Sequence, residues 1–305
     1  MMKISVVSMT YNDGFKLKQW REHYEVYKDQ IENFVIVDNG SSKEYVEELK
    51  ATFPEAVIIE RDSNGGCTAA YNDGIKYVLE NTDSKAITII ANDIKITENC
   101  LPAMYEYLYS DEELGMVSSA VLNINSNVID NYGHKVKGFS VKAENTGEKI
   151  GEITEKRKYT EVLSGGFTMA KREFYEKAGL QDEALFMYCD ELDTYFKAIK
   201  NNFKFGVIAD GYAWHWHVEK PGQKKRSSAS RYLISRNRVY LAKKHASKWT
   251  LFKQVIKGTI YVPMVFIFNA IRRFDKRYFT DAKYSFVGAI HGLKGKMFTN
   301  KYTEF

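Results

Sequence analysis

The chain has 305 residues, 44% hydrophobic and 27% charged, which excludes a disordered chain and a polytopic membrane protein and leaves one large domain or a domain with an appendage. The net charge of +5 hides an asymmetry: residues 220–305 hold 20 Lys and Arg against 3 Asp and Glu, net +17, and the preceding residues are net −12. A basic, apolar tail on an acidic domain points to an anionic partner such as a membrane surface, and no recognised nucleic-acid motif accompanies the charge. The three cysteines, Cys67, Cys100 and Cys189, make neither a metal-pair spacing nor a disulfide framework, as expected in a reducing compartment.

Residues 3–9 form a β-rich apolar run, expected to be a first strand rather than a signal peptide. Residues 34–38, 56–60 and 86–91 follow as strands, with helix-like stretches at 15–28, 43–52 and 68–80 between them. This alternation predicts an α/β fold with a mostly parallel sheet flanked by helices. Polar turn residues close every predicted strand: TYNDG from Thr10, DNGSS from Asp38, RDSNGG from Arg61, and Asn92-Asp93. Ligands bind at the carboxyl ends of such strands, so these residues predict one wet cleft. Residues 123–160 read as a hairpin or loop insertion, 161–170 as a strand and 190–201 as a helix. Tail helices are expected at 231–245, 252–273 and 282–296. The apolar core of the second, residues 259–271, contains Pro263 and looks too short for a hydrocarbon core of about 30 Å. The expected division is an α/β domain over 1–230 and a basic amphipathic helical region over 231–305.

Taken singly, the polar residues of the cleft have ordinary readings. Asp38 is a strand-end carboxylate able to accept from a base or ribose, or a turn former. Asn64-Gly65-Gly66 before a helix lets backbone approach a phosphate, or is a turn. Asp93 can hold a divalent cation, or cap the next segment. His215 and His217 alternate on an extended segment and face one side, as metal ligands or as bonded histidines in an aromatic patch. Asp190-Glu191-Leu192-Asp193 suits a helix N-terminus, or supplies a general base whose pKa neighbouring apolar groups raise.

The order and spacing of these pieces are more specific. From residue 4 to about 244 the chain resembles the family 2 glycosyltransferases of GT-A fold, especially rhamnosyl- and galactofuranosyl-type members. The resemblance rests on VVSMTYN (6–12), IVDNGSS (36–42), NGGCTAAYNDG (64–74), AND (91–93), LSGGF (163–167), FMYCDELDTYFKA (186–198), Trp214-His215 and Arg236-Asn237-Arg238. It implies an inverting transfer from a UDP- or dTDP-linked sugar to a hydroxyl of a glycan or lipid-linked glycan, assembling bacterial surface polysaccharide with Mn²⁺ or Mg²⁺. By the same resemblance Glu191, with Asp190 as rival, is the catalytic base. Thr10, Tyr11, Asn12, Asp38, Asn64, Gly65, Gly66, Asn92, Asp93, Arg236 and Arg238 bind the donor. Gly165, Gly166, Tyr188 and Trp214 meet the acceptor, and Asp93 with His215, or His217 in its place, holds the metal. The expected location is the cytoplasmic face of the membrane, through a peripheral contact of the C-terminal helices, whose apolar residues alternatively pack on the catalytic domain or form a homodimer seam. Ala91 replaces an acid common in the family's DxD motif, which keeps a catalytically weak donor-binding or scaffold protein as the alternative.

Overall fold

The structure is a computed structural model that describes residues 2–216 and 228–298. The chain forms two compact units. One contains Met1–Gln181 and Thr194–Lys220, the other Asp182–Asp193 and Pro221–Phe305.

The first unit opens with β1 (Ile4–Thr10), α1 (Leu17–Tyr24), β2 (Asn33–Asp38), α2 (Lys43–Thr52), β3 (Val57–Glu60), α3 (Gly66–Asn81) and β4 (Ala86–Ile90). β1, β2 and β4 are buried along almost their whole length, which is why their sequences are apolar runs and not alternating ones. Ser42 caps α2 by accepting from the Tyr45 N–H at 3.3 Å, and Tyr45, Val46 and Leu49 bury its inner stripe. The strands lie parallel in the order β4-β1-β2-β3.

The sheet continues through segments that the sequence marks less clearly: β5 (Ile94–Ile96), α4 (Cys100–Ser110), β6 (Leu114–Asn123), β7 (Ile129–Asn131), β8 (His134–Lys137), β9 (Ser140–Ala143), β10 (Arg157–Thr160), β11 (Phe167–Lys171), α5 (Arg172–Ala178), α6 (Asp190–Lys200) and β12 (Lys204–His215). β8 and β9 form the hairpin expected within 123–160. β11 enters antiparallel beside β4, and β6 and β12 extend the sheet as a parallel pair. The strand expected from residue 161 starts only at Phe167, because the loop before it turns at Gly165-Gly166 and the Gly166 carbonyl accepts from the Ala91 N–H at 2.8 Å.

The second unit contains the segment Asp182–Asp193, α7 (Ser228–His245), α8 (Lys248–Ile256), a π turn (Lys257–Tyr261), α9 (Val262–Arg273) and α10 (Arg277–Lys294). Gly288 and Gly292 bring α10 onto α7. A Cβ at either position would lie 2.3 and 2.2 Å from the carbonyl oxygens of Tyr232 and Arg236. α8, the π turn and α9 make one helix, Lys248–Arg273, of 26 residues, long and apolar enough by length and composition to cross a membrane. This corrects the short segment read from the sequence. Lys253 and Lys257 interrupt the apolar run but not the helix, and the π turn ends just before Val262-Pro263, where the ring offers no N–H to the preceding turn.

Candidate active site

In the first unit the carboxyl ends of β1 and β2 lie side by side, Thr10 opposite Asp38. One carboxylate oxygen accepts from the N–H groups of Gly40 and Ser41 at 3.2 and 3.0 Å. The other is buried with no partner among the described residues, on a side chain only 1% exposed. An acceptor left over in this way is open to a donor from a ligand or a water. Gly40 has φ +84°, and a Cβ there would sit 2.6 Å from the Ser63 Cα, so only glycine turns the chain here. Thr10 is buried and hydrogen-bonds the Tyr45 hydroxyl, whereas Tyr11 is exposed. Asn12 ties the β1 loop to the β2 loop, its amide oxygen accepting from the Ser42 N–H at 3.0 Å. Asn39, which the sequence did not single out, holds the glycine turn. Its Nδ2 donates to Asn64 Oδ1 at 3.0 Å, and its Oδ1 accepts from the Gly65 N–H at 3.1 Å. Asn64 Oδ1 also accepts from the Gly66 N–H.

The end of β4 brings Asp93 to His215. β5 pairs antiparallel with the end of β12, setting His215 opposite Ile94, and His215 Nε2 lies 3.4 Å from Asp93 Oδ1. Lys16 approaches the other oxygen, Nζ to Oδ2 at 3.2 Å, and also reaches Asn92 Oδ1 at 3.4 Å. Asn92 in turn donates to Asp13. Burial alone would push the Asp93 carboxyl up, but the His215 hydrogen bond and the Lys16 charge outweigh it and hold the group at about 2. Asp93 and His215 are the two side chains placed to hold a divalent cation. No group of three or more His, Cys, Asp or Glu suited to a metal occurs among the described residues. His217 lies outside the described residues.

Beside this cluster a groove of about 560 Å³ is lined by Lys95, Asn125, Asn127, Tyr212, Trp214 and Trp216, among others. The Trp214 Nε1 donates to the Ser126 carbonyl at 3.1 Å, and the Tyr212 ring meets Trp214 edge-on at 5.0 Å. Indole faces beside amide side chains make a surface suited to a polar ring with apolar faces.

In the second unit the acidic turn Asp190-Glu191 opens α6. Burial raises both carboxyls, and Glu191 is raised further by Asp190. The loop before them is strained: Phe186, Tyr188 and Cys189 all have φ between 64° and 69°. Two neighbours on α7 hold it. Asn237 Nδ2 donates to the carbonyls of Leu185, Met187 and Tyr188 at 3.0, 2.9 and 2.8 Å. The Arg236 guanidinium, 0% exposed, donates to the carbonyls of Leu185 at 2.7 Å and Ala184 at 3.1 Å, and also to Met297. Arg236 therefore positions a loop and is not the donor ligand expected from the sequence, because its donors are taken by main-chain carbonyls and by the Asn237 side-chain oxygen. Tyr188 enters this network by its carbonyl. Asp193, buried, accepts from Lys244 at 2.8 Å and pairs with His245 Nε2 at 2.7 Å. Arg238 lines a cavity within the same unit.

A parallel α/β sheet with a strand-end acid and polar loops over β1, β2 and β4 defines the GT-A class of glycosyltransferases, and solved structures of that fold match. The crystal structure of GalNAc-T7 with UDP, GalNAc and Mn²⁺ aligns with a TM-score of 0.63 at 13% identity, covering 95% of this chain and 57% of that one. The mannosyltransferase PcManGT from Pyrobaculum calidifontis, in complex with GDP-Man and Mn²⁺, aligns at 0.56 and 15%, covering 96% and 88%. The family model for glycosyl transferase family 2 matches residues 5–179, and the chain belongs to that family. It is similar to the low-salt glycan biosynthesis hexosyltransferase Agl10 of Haloferax volcanii, 23% identical over 274 residues, 87% of this chain and 84% of the relative. It is also similar to the minor teichoic acid biosynthesis protein GgaA of Bacillus subtilis, 26% identical over 221 residues, 70% of this chain. There it spans about half the relative's length, 47%.

Proposed function

We propose that this glycosyltransferase moves a sugar, with inversion, from a nucleotide-diphosphate sugar to a hydroxyl of a glycan or lipid-linked glycan acceptor in surface-glycan assembly. The observation that carries the donor reading is the buried, unpartnered oxygen of Asp38, which a base N–H or ribose hydroxyl would satisfy. Two of the solved neighbours hold UDP or GDP-Man with Mn²⁺. Titration of UDP, dTDP and GDP into the protein tests it. Asp38→Ala should weaken the preferred nucleotide at least about tenfold, because a hydrogen bond to a charged group contributes about 1.5–3 kcal/mol. Equal binding by wild type and variant would remove Asp38 from the donor site.

In this reading Asp93 and His215 would hold a divalent cation, which would supply positive charge against the leaving diphosphate. Lys16 lies beside the same oxygens and adds positive charge there. Trp214 and Trp216 offer the acceptor sugar a face to stack on. Glu191, whose carboxyl is raised by burial and by Asp190, takes the proton of the attacking hydroxyl in its ionised form. The exposed apolar side of Lys248–Arg273, among many basic residues, seats the enzyme on the cytoplasmic face of a membrane.

The short list of metal ligands favours a second reading, in which Lys16 alone neutralises the diphosphate. EDTA separates the two. With a metal, Asp93→Ala abolishes the Mn²⁺ dependence of nucleotide binding and Lys16→Met leaves it. Full activity in excess EDTA, together with an inactive Lys16→Met, would establish the lysine site instead.

A further inference from the structure

The second unit holds a cavity whose lining, Arg238 apart, includes none of the residues that the family resemblance assigns to sugar transfer. Its volume is about 110 Å³, against the roughly 10–15 Å³ that admits one water, so a polyatomic ion fits. Arg231, Arg238 and Lys257 line it, with Ser235, Gln254 and Phe266 between them, and no carboxylate is among its described lining residues. Ser235 is 9% exposed, and its hydroxyl has no partner among the described residues. Burial, and then the charge of Arg238, push the Lys257 ammonium down. A buried hydroxyl left over inside a positive wall is the complement of an anion with several oxygens.

The backbone is shaped for the same purpose. The π turn Lys257–Tyr261 carries Lys257 and Gly258 into the wall. Such turns are rare inside α-helices and concentrate at functional sites. A Cβ on Gly258 would lie 2.7 Å from the Ala289 Cβ of α10 and 3.0 Å from the Ser235 hydroxyl, so glycine here serves the helix packing and also leaves that hydroxyl uncrowded.

The surroundings say where the anion comes from. The helix that walls the cavity with Val262 and Phe266 exposes Ile260, Met264, Phe268 and Ile271 on its other sides, within a tail of net charge +17. A free ion would match the cavity but not the apolar helix. A phosphorylated lipid matches both.

We propose that this cavity binds the terminal phosphate of a membrane lipid. The proposal rests on the reading that the enzyme works at a membrane, and it assigns the second unit a specific contact there. A terminal phosphate offers three acceptor oxygens to the three cations, whereas a phosphodiester offers two.

The test is co-sedimentation of the full chain with phosphatidylcholine vesicles containing either phosphatidic acid or phosphatidylglycerol at matched surface charge. Wild type should prefer phosphatidic acid by about tenfold, the effect of one additional charge-assisted hydrogen bond. Arg231→Gln with Lys257→Gln should bind both vesicles alike. Arg272→Gln with Arg273→Gln, the same charge loss on the exposed end of the helix, should weaken both and keep the preference. Ser235→Ala keeps every charge and removes only an unpaired hydroxyl, so it should fold normally and lower the preference. Absence of a preference in wild type, or its survival in the Arg231/Lys257 variant, overturns the proposal. So does inorganic phosphate binding that needs Arg231 and Lys257 while vesicle preference does not, which would leave a site for a free ion. Nucleotide-diphosphate titration of the same variant should be unchanged, and its loss would assign the cavity to the donor and overturn the proposal. If wild type binds no nucleotide diphosphate yet keeps the lipid preference, the sugar-transfer reading fails and the lipid site stands.

Discussion

Replacing Glu191 by Gln should lower turnover by about 10²–10⁴-fold, the range for loss of a general base, with nucleotide-diphosphate affinity unchanged. The same variant should be more stable than wild type. Burial and Asp190 raise the Glu191 carboxyl above its ordinary value. A carboxyl raised in the folded state contributes stability below its unfolded pKa, about 4.3, and loses that contribution as pH rises through the folded value. The Tm of Glu191→Gln should therefore match wild type near pH 5 and exceed it near pH 8, by roughly 2–4 °C for each kcal/mol removed. Wild-type activity should climb over the same pH window, since the base must lose its proton to act. An active Glu191→Gln beside an inactive Asp190→Asn would move the base one residue toward the N-terminus.

Asn237→Ala should come next in effect. Asn237 is fully buried, and the two N–H bonds of its amide are shared among three carbonyls of the strained loop before the acids. Without it the loop relaxes toward ordinary φ values, and displacement of about 1 Å costs about 10²-fold in rate. The destabilisation should be about 1–3 kcal/mol, from carbonyls left unpaired. A positioning role predicts a fall in kcat with donor affinity preserved. Asn237→Asp, the same shape without the N–H donors, should be no better than alanine. A folded Asn237→Asp enzyme with normal kcat would show that the three hydrogen bonds do not set the loop.

Much of the first unit was legible because its strands are covered on both faces. Apolar runs ending in DNG or AND state both the strand and the loop that follows. β6 was harder. Its centre carries Ser118 and Ser119, both buried, and Ser118 satisfies its hydroxyl on the Phe167 carbonyl at 2.6 Å. A polar pair that finds such partners inside a sheet looks like a loop in the sequence. Lys16 was passed over because it falls in a stretch with helical spacing, and only the fold brings it back to Asp93. Arg236 was misassigned for the converse reason. The resemblance assigned it through Arg236-Asn237-Arg238, and a motif does not tell which guanidinium will be turned inward to main-chain oxygens.

The interleaving of the two units bears on how the enzyme is made. The segment Asp182–Asp193 leaves the ribosome well before the residues that hold it, since Arg236 and Asn237 follow the Leu185 carbonyl by 51 and 52 positions. Domains fold N-terminal first at synthesis rates of about 5–20 residues per second. The loops over β1, β2 and β4 can therefore settle while the acid-bearing loop still lacks its clamp. On the proposed assignment, a nascent chain at that stage would be ready to bind donor before it could transfer sugar, and chemistry would wait for the residues of α7.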